Sequence, residues 1–352
     1  MRTRTFKENY ADLIALFPYP DTKIWYGLLI VALFALPYFS SNYIITYMTV
    51  LLIGVIGAVA LNLVTGTAGL ISLGHAGFLA IGAYAAGILI TDHGWGVVPA
   101  ILAAGVVSAA SSLLVGVPSL RLKGLYLAIT TLAFSIIVTQ LIVELDGLTG
   151  GSGGKAVGRP AILGVIPLRT PTAVYYLTAA FAVLSVLVAV NLLRSRVGRA
   201  WSALRDYDIA ASLMGINLVR YKLMAFATSA FMTGVSGALL AIHLRYLNVD
   251  NFTLITSIEV LAMIIVGGLG SVRGAVLGAI VITVLPDVSR MLMSAVGGPL
   301  KSLSLDNAAD VKGVIYAVLI MLFLRFEPDG LAARWLRIKR FWLDWPFSRK
   351  SA

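Results

Sequence analysis

The chain contains no cysteine, which excludes disulfides, thiolate metal sites and cysteine nucleophiles. Charge is nearly as scarce. Asp, Glu, Lys and Arg make up 12% of the residues, where a soluble domain carries about 25%. The three histidines, His75, His93 and His243, are far apart, so no metal-ligand spacing occurs. A nucleophile elbow is also missing. The nearest approach to a phosphate loop is residues 149–156, TGGSGGKA. It has Thr149 where the leading glycine belongs and Ala156 where a metal-binding Ser or Thr belongs. No apolar strand precedes it, and it reads as a flexible loop. The sequence therefore nominates no catalytic residue, no metal site and no cofactor bound by this chain.

What is there is apolar. Hydrophobic residues make up 59% of the chain, and the mean hydropathy is +0.93. A hydrocarbon core of ~30 Å needs roughly 20 apolar residues per helix. About ten segments fit that requirement: 24–39, 43–64, 74–91, 97–119, 124–143, 172–193, 222–242, 254–270, 274–291 and 311–326. The expected fold class is an all-α polytopic membrane protein with glycine-interrupted segments. Residues 1–23 form a polar arm, 24–326 the membrane domain, and 327–352 a basic-aromatic tail. The first apolar run follows a mixed stretch, and no small-residue cleavage site comes after it, so a cleaved signal peptide is not expected.

Most of the 27 Lys and Arg residues fall on one side once the N-terminus is put in the cytoplasm. They lie in the N-terminal arm, at Arg121 and Lys123, in the loop 194–222, at Arg273 and in the tail. Acidic residues divide evenly, so the asymmetry follows the positive-inside rule and puts both termini in the cytoplasm. Dispersed among short loops, these bases form no nucleic-acid groove. The tail, ARWLRIKRFWLDWPF, interleaves Arg and Lys with Trp and Phe, a pattern expected along lipid headgroups.

Two stretches are too rich in glycine for ordinary helix interior: residues 62–84 (NLVTGTAGLISLGHAGFLAIGAY) and 266–279 (VGGLGSVRGAVLGA). Gly-interrupted apolar segments, one in each half of a chain, point to a transport path. Close helix packing explains the glycines equally well. The polar trio Thr67, Ser72 and His75 favours a path or gate lining. Acidic residues inside the spans are nearly absent. Glu259 is the one candidate, and the outer end of its helix, beside Arg245, suits it better. A proton- or sodium-driven carrier would be expected to show more.

The one long charged interruption is residues 194–222, RSRVGRAWSALRDYDIAASLMGINLVRYK. Within it, 206–214 reads as a short amphipathic helix, with Asp206 and Asp208 at its N-terminal end and Gly215 as its C-terminal glycine. Ile209, Leu213 and Met214 share a face that lies outside the bilayer. A partner protein is the expected cover.

Five stretches of the sequence resemble the LivM-type permease subunits of branched-chain amino acid ABC importers. They are GLISLGHAGFLAIGAY (69–84), LRLKGLYLAITTLAF (120–134), LTGGSGG (148–154), GRAWSALRDYDIAASLMGINLVRYKLMAF (198–226) and SIEVLAMIIVGGLGSVRGAVLGA (257–279). The resemblance implies a permease of the bacterial inner membrane that takes its cargo from a periplasmic solute-binding protein. It also implies a homologous second permease subunit and two ATPase subunits, which bind ATP and Mg²⁺. The segment matching Gly198 to Gly215 resembles the family's coupling helix. That makes Arg199, Arg205, Asp206, Asp208, Ile209, Ala210, Leu213 and Gly215 the expected ATPase-coupling residues. Gly69, Ser72, Gly74, His75, Gly267, Gly268, Gly270 and Glu259 are the expected translocation-path residues. Trp201 and Tyr207 are bulkier than the family pattern suggests for a docking surface. Related permeases carry urea, short amides and aromatic acids. Read from residues alone, a stand-alone channel or secondary carrier for a small polar solute such as urea, or a membrane enzyme or scaffold, stays open.

Overall fold

In lipid, backbone N–H and C=O groups must be satisfied within the protein, so apolar runs form helices. The computed structural model describes residues 20–119, 122, 124–158, 161–162, 166–167, 170–296 and 330–344, with Val318, Met321, Arg325 and Phe326. Most of the N-terminal arm, Arg121 and Lys123, most of the segment 311–326, and residues 345–352 lie outside the described residues.

Helix α1 is Pro20–Phe39. Helix α2, Asn42–Leu61, continues without a break into a π-helical turn, Asn62–Thr67. Then come α3 (His75–Thr91), α4 (Val97–Ser119), α5 (Leu125–Glu144) and the single turn α6 (Asp146–Thr149). Helix α7 is Pro171–Arg194, α8 is Arg196–Asp206, α9 is Asp208–Leu213 and α10 is Leu218–Leu244. Helices α11 (Leu254–Gly267), α12 (Val272–Val296) and α13 (Gly330–Asp344) follow. The strands have two residues each: β1 (Lys155–Ala156), β2 (Ala161–Ile162), β3 (Ile166–Pro167) and β4 (Tyr246–Leu247).

Among the described residues, six helical stretches are long and apolar enough to cross a membrane: Asn42–Thr67, Val97–Pro118, Leu125–Glu144, Pro171–Arg194, Leu218–Leu244 and Val249–Gly267. Gly27–Phe39 and His75–Thr91 are apolar but shorter. The molecule is an all-α polytopic membrane protein. Its outward faces carry exposed Leu113, Leu114, Ile136 and Ile137, the kind of apolar surface that lipid covers.

Helix α10 is the centre of the bundle and packs against α4, α3 and α2. Small residues let backbones touch there. Gly82 of α3 lies against Gly234, and Gly237 against Leu79. Polar side chains bond the helices together. The Ser229 hydroxyl donates to the Ala60 carbonyl at 2.8 Å, and the Ser236 hydroxyl to the Ile53 carbonyl at 3.0 Å. Between α7 and α1, the Tyr175 hydroxyl donates to the Leu33 carbonyl at 2.7 Å.

Loops sort onto two faces. On one, β1 pairs antiparallel with β4, and Lys155 Nζ lies 2.7 Å from an Asp92 carboxylate oxygen. That gathers the turn after α3, the segment 149–158 and the turn after α10. Residues 149–156 carry local structure: they comprise the end of α6, a 3₁₀ turn at Gly151–Gly153 and β1. On the opposite face lie the π turn, α8 with α9, and the turn between α11 and α12. These are the connections that the Lys and Arg placement assigns to one side. Helix α13 joins them there, with Gly330 packed on Gly268. Its exposed residues include Arg334, Trp335, Leu336, Arg337, Ile338 and Lys339.

Candidate functional site

Helix α3 is short because its chain enters the bundle as non-helical backbone. It has 17 residues, about 25 Å of rise, which is less than a ~30 Å hydrocarbon core. Residues 68–74 supply the rest in an irregular path. Two contacts fix the depth of its start. His75 packs on Gly57, some ten residues or roughly 15 Å of rise before the end of the π turn. The Ala76 N–H donates to the Ser257 hydroxyl at 2.9 Å. Ser257 stands in the first turns of α11 and Gly267 ends that helix, so the contact lies the same distance in.

Irregular backbone at membrane depth needs partners, and hydroxyl side chains provide them. The Leu73 N–H donates to Thr131 Oγ1 on α5 at 2.9 Å, and the Gly74 N–H to Ser72 Oγ at 3.4 Å. Nearer the face, the Leu70 N–H donates to the Val64 carbonyl at 3.0 Å, and Thr65 Oγ1 donates to the Leu70 carbonyl at 3.2 Å. His75 is buried, with Nδ1 3.5 Å from Thr233 Oγ1.

The second glycine stretch is a tight hairpin. Gly267 and Gly274 face each other across the α11–α12 turn, and Gly278 abuts the Met263 carbonyl. The two stretches also meet. Asn62 Oδ1 accepts the Gly270 N–H at 2.9 Å, and a side chain on Gly66 would run into both Asn62 and the Gly270 nitrogen. Between the breaks, Ile71 and Leu269 are exposed.

The charged interruption sits against this junction. Ser195 caps α8 by accepting from the Val197 N–H, and Asn217 caps α10 by accepting from the Arg220 N–H. Trp201 is fully buried, and its indole N–H donates to the Tyr221 carbonyl at 2.9 Å. Tyr207 bends the chain between α8 and α9 with extended backbone. Beyond the bend, Tyr207 is 75% exposed, Ile209 66%, Leu213 83% and Met214 85%. Ala211 points inward and is buried. Gly215 closes α9 at φ +83°, a left-handed conformation that suits a C-terminal glycine.

Residues 43–324 match the family described as the branched-chain amino acid transport system permease component. The chain belongs to this family. It is 34% identical over 291 residues to the high-affinity branched-chain amino acid transport system permease protein LivM of Salmonella typhimurium, covering 76% of this chain and 68% of that protein. The same figures hold for LivM of Escherichia coli. It is also 24% identical over 300 residues to LivH of Escherichia coli, covering 79% of this chain and 90% of the relative. No solved structure matches it.

Within this permease, the expected residues divide into several groups. Ser72, Gly74, His75, Gly267 and Gly268 are buried inside the chain, Gly69 is exposed and Gly270 partly so. Glu259 is half-buried in the second turn of α11, at the end away from the glycine hairpin. Asp208, Ile209, Ala210, Leu213 and Gly215 belong to α9 or its end. Asp206 does not. It ends α8, because Tyr207 interrupts the helix and a new one starts at Asp208. Arg199 and Arg205 also lie on α8. The Arg199 guanidinium donates back to the Arg194 carbonyl at 3.1 Å. Arg205 Nη1 donates to the Gly66 carbonyl at 2.8 Å. The bulk of Trp201, expected to intrude on a docking surface, instead wedges α8 against α10.

The reading of residue periodicity left out α8, which only the family resemblance of 198–215 had marked as helical. Its signal was present, since Val197, Ala200, Trp201 and Leu204 recur at i, i+3, i+4 and i+7.

Proposed function

We propose that this chain is the membrane permease subunit of an ATP-binding-cassette importer. It translocates branched-chain amino acids, or a related small solute, delivered by a periplasmic binding protein. It sits in a bacterial inner membrane with both termini in the cytoplasm. A homologous second permease completes the pathway, and two ATPase subunits supply ATP and Mg²⁺ chemistry from outside this chain. Escherichia coli has two relatives, LivM and LivH, under one transport-system name, which supports a paired permease.

The observation that carries the coupling role is the bare apolar surface of α9. Tyr207, Ile209, Leu213 and Met214 stand on the same face of the bundle as the basic loops, more than half exposed. Among the described residues nothing covers this apolar cluster, and a partner subunit is the cover that fits. The permease has no nucleotide loop, so energy arrives through that contact. The path is proposed to run along the edge where Gly69, Ile71, Leu269 and Gly270 are accessible. Ser72, Gly74, His75, Gly267 and Gly268 would shape it from behind, and Glu259 would stand near its far end.

The test is uptake of labelled leucine into vesicles holding the whole complex, with this chain carrying Ile209→Glu and Leu213→Glu. Inserted protein without ATP-dependent uptake, and without bound ATPase, is the expected result. Undiminished uptake by the double variant would refute the docking role. Solute flux through this chain reconstituted alone would refute the importer reading itself.

A further inference from the structure

Arg205 sits two residues before the bend at Tyr207, in the last turn of the helix that Trp201 locks to the bundle. Its side chain turns away from α9 and towards the two glycine stretches. The Gly66 carbonyl, which it reaches at 2.8 Å, is free because the π turn has disturbed the helical pairing. In a continuing α-helix the Leu70 N–H would take that carbonyl. Here it donates to Val64 instead, and the guanidinium takes its place.

Two more glycines close on the same side chain. Gly69 has φ +72°, and a methyl there would lie 2.7 Å from Arg205 Cγ. A methyl on Gly270 would lie 2.9 Å from Arg205 Nη1. Gly270 is itself held to Asn62 through its N–H. The Arg205 side chain therefore touches the first break with its guanidinium at Gly66 and its aliphatic stem at Gly69, and the second with its guanidinium at Gly270. Its side chain is 45% exposed, with Nε 3.4 Å from an Asp206 carboxylate oxygen, so its charge stays partly in water. Arginine suits such a place. It is always charged, and its planar fork can serve several partners at once.

We propose that Arg205 is a positioning residue that ties the α8–α9 pair to both glycine breaks. Movement imposed on α9 then reaches Ile71 and Leu269 through one guanidinium. The transport consequence rests on the importer reading above; the tie between the breaks does not.

The absence of cysteine makes a direct test available. Single cysteines at Leu70 or Val272, each buried beside one of the breaks, report local opening by their rate of reaction with a water-soluble maleimide in the full-length, membrane-embedded chain. Removing a hydrogen bond to a charged group should accelerate labelling by about tenfold in Arg205→Gln. Arg205→Lys keeps a donor for the Gly66 carbonyl and should restore slow labelling. Gly69→Ala presses a methyl on Arg205 Cγ and should mimic Arg205→Gln, even if that variant folds poorly. Unchanged rates in Arg205→Gln and Gly69→Ala, or fast labelling in Arg205→Lys, would overturn the proposal. This arm needs no ATPase, so it stands apart from the importer reading.

In the whole complex, Arg205→Gln should keep the ATPases bound while uptake per ATP hydrolysed falls by about tenfold. Loss of ATPase binding would instead put Arg205 on the docking surface, and the tie would be abandoned.

Discussion

The side-chain oxygen of Asn62 holds the backbone N–H of Gly270 at 2.9 Å, across 208 positions of sequence. This bond staples one glycine stretch to the other. Among the described residues, the Nδ2 of the same side chain is buried without a hydrogen-bond partner.

Asn62→Ala removes the acceptor and leaves the Gly270 N–H unsatisfied. The expected cost is about 1–3 kcal/mol, nearer the lower figure because an unpaired buried donor goes with it. Thermal unfolding in detergent should show a lower midpoint. An unchanged midpoint would mean that the staple contributes nothing.

The start of α3 depends on a hydroxyl from another helix. Ser257→Ala leaves the Ala76 N–H buried without its partner, again at about 1–3 kcal/mol. Thr139→Val is the matched control, since that hydroxyl bonds only within its own helix at an exposed site. Its effect should stay within about 0.5 kcal/mol. Equal effects in both variants would contradict the capping role of Ser257.

Trp201 is the largest fully buried side chain at the α8–α10 junction. Truncation to Ala should cost about 3–5 kcal/mol. The loss should appear first as protease cleavage within residues 194–217, before the rest of the bundle is attacked. Cleavage no faster than in the parent protein would rule out its wedging role.

At Gly215 nothing lies within 4 Å of where a side chain would begin, so a substitution there acts through backbone conformation alone. Gly215→Val forces a β-branched residue to φ +83°, at a cost of roughly 1–3 kcal/mol. Gly215→Asn, which tolerates that conformation, should cost less. Amide hydrogen exchange in α9 distinguishes the two. Equal protection in both variants would argue against a conformational origin.

The membrane spans could be read from the sequence because apolar runs in lipid have one outcome. Residues 97–119, 124–143 and 172–193 appear within a residue or two of their predicted ends. Helix α10 begins at Leu218, earlier than the predicted 222, since Asn217 caps it and Lys222 is buried rather than marking the water boundary. The glycine breaks were visible as composition. Their mutual contact was not, because the Asn62–Gly270 bond links positions that no local pattern connects. The apolar face of α9 followed from spacing, whereas the bend at Tyr207 did not. A tyrosine in extended backbone between two helical turns leaves no sign in periodicity, and Asp206 was therefore assigned to the wrong helix. The pairing of Arg205 with Gly66 was equally hidden, since a base in a charged loop normally faces water.

Two of the hydroxyls that serve residues 68–76 come from helices made much later. Thr131 follows Leu73 by 58 positions, and Ser257 follows Ala76 by 181. During synthesis the ribosome releases this stretch long before its partners exist, and bare peptide groups are costly in hydrocarbon. The stretch should therefore stay wet, inside the insertion machinery or at the headgroups, until the second half of the polypeptide emerges. Nascent chains halted before Ser257 should expose a cysteine placed at Ser72 to aqueous reagents, and chains halted well beyond it should not.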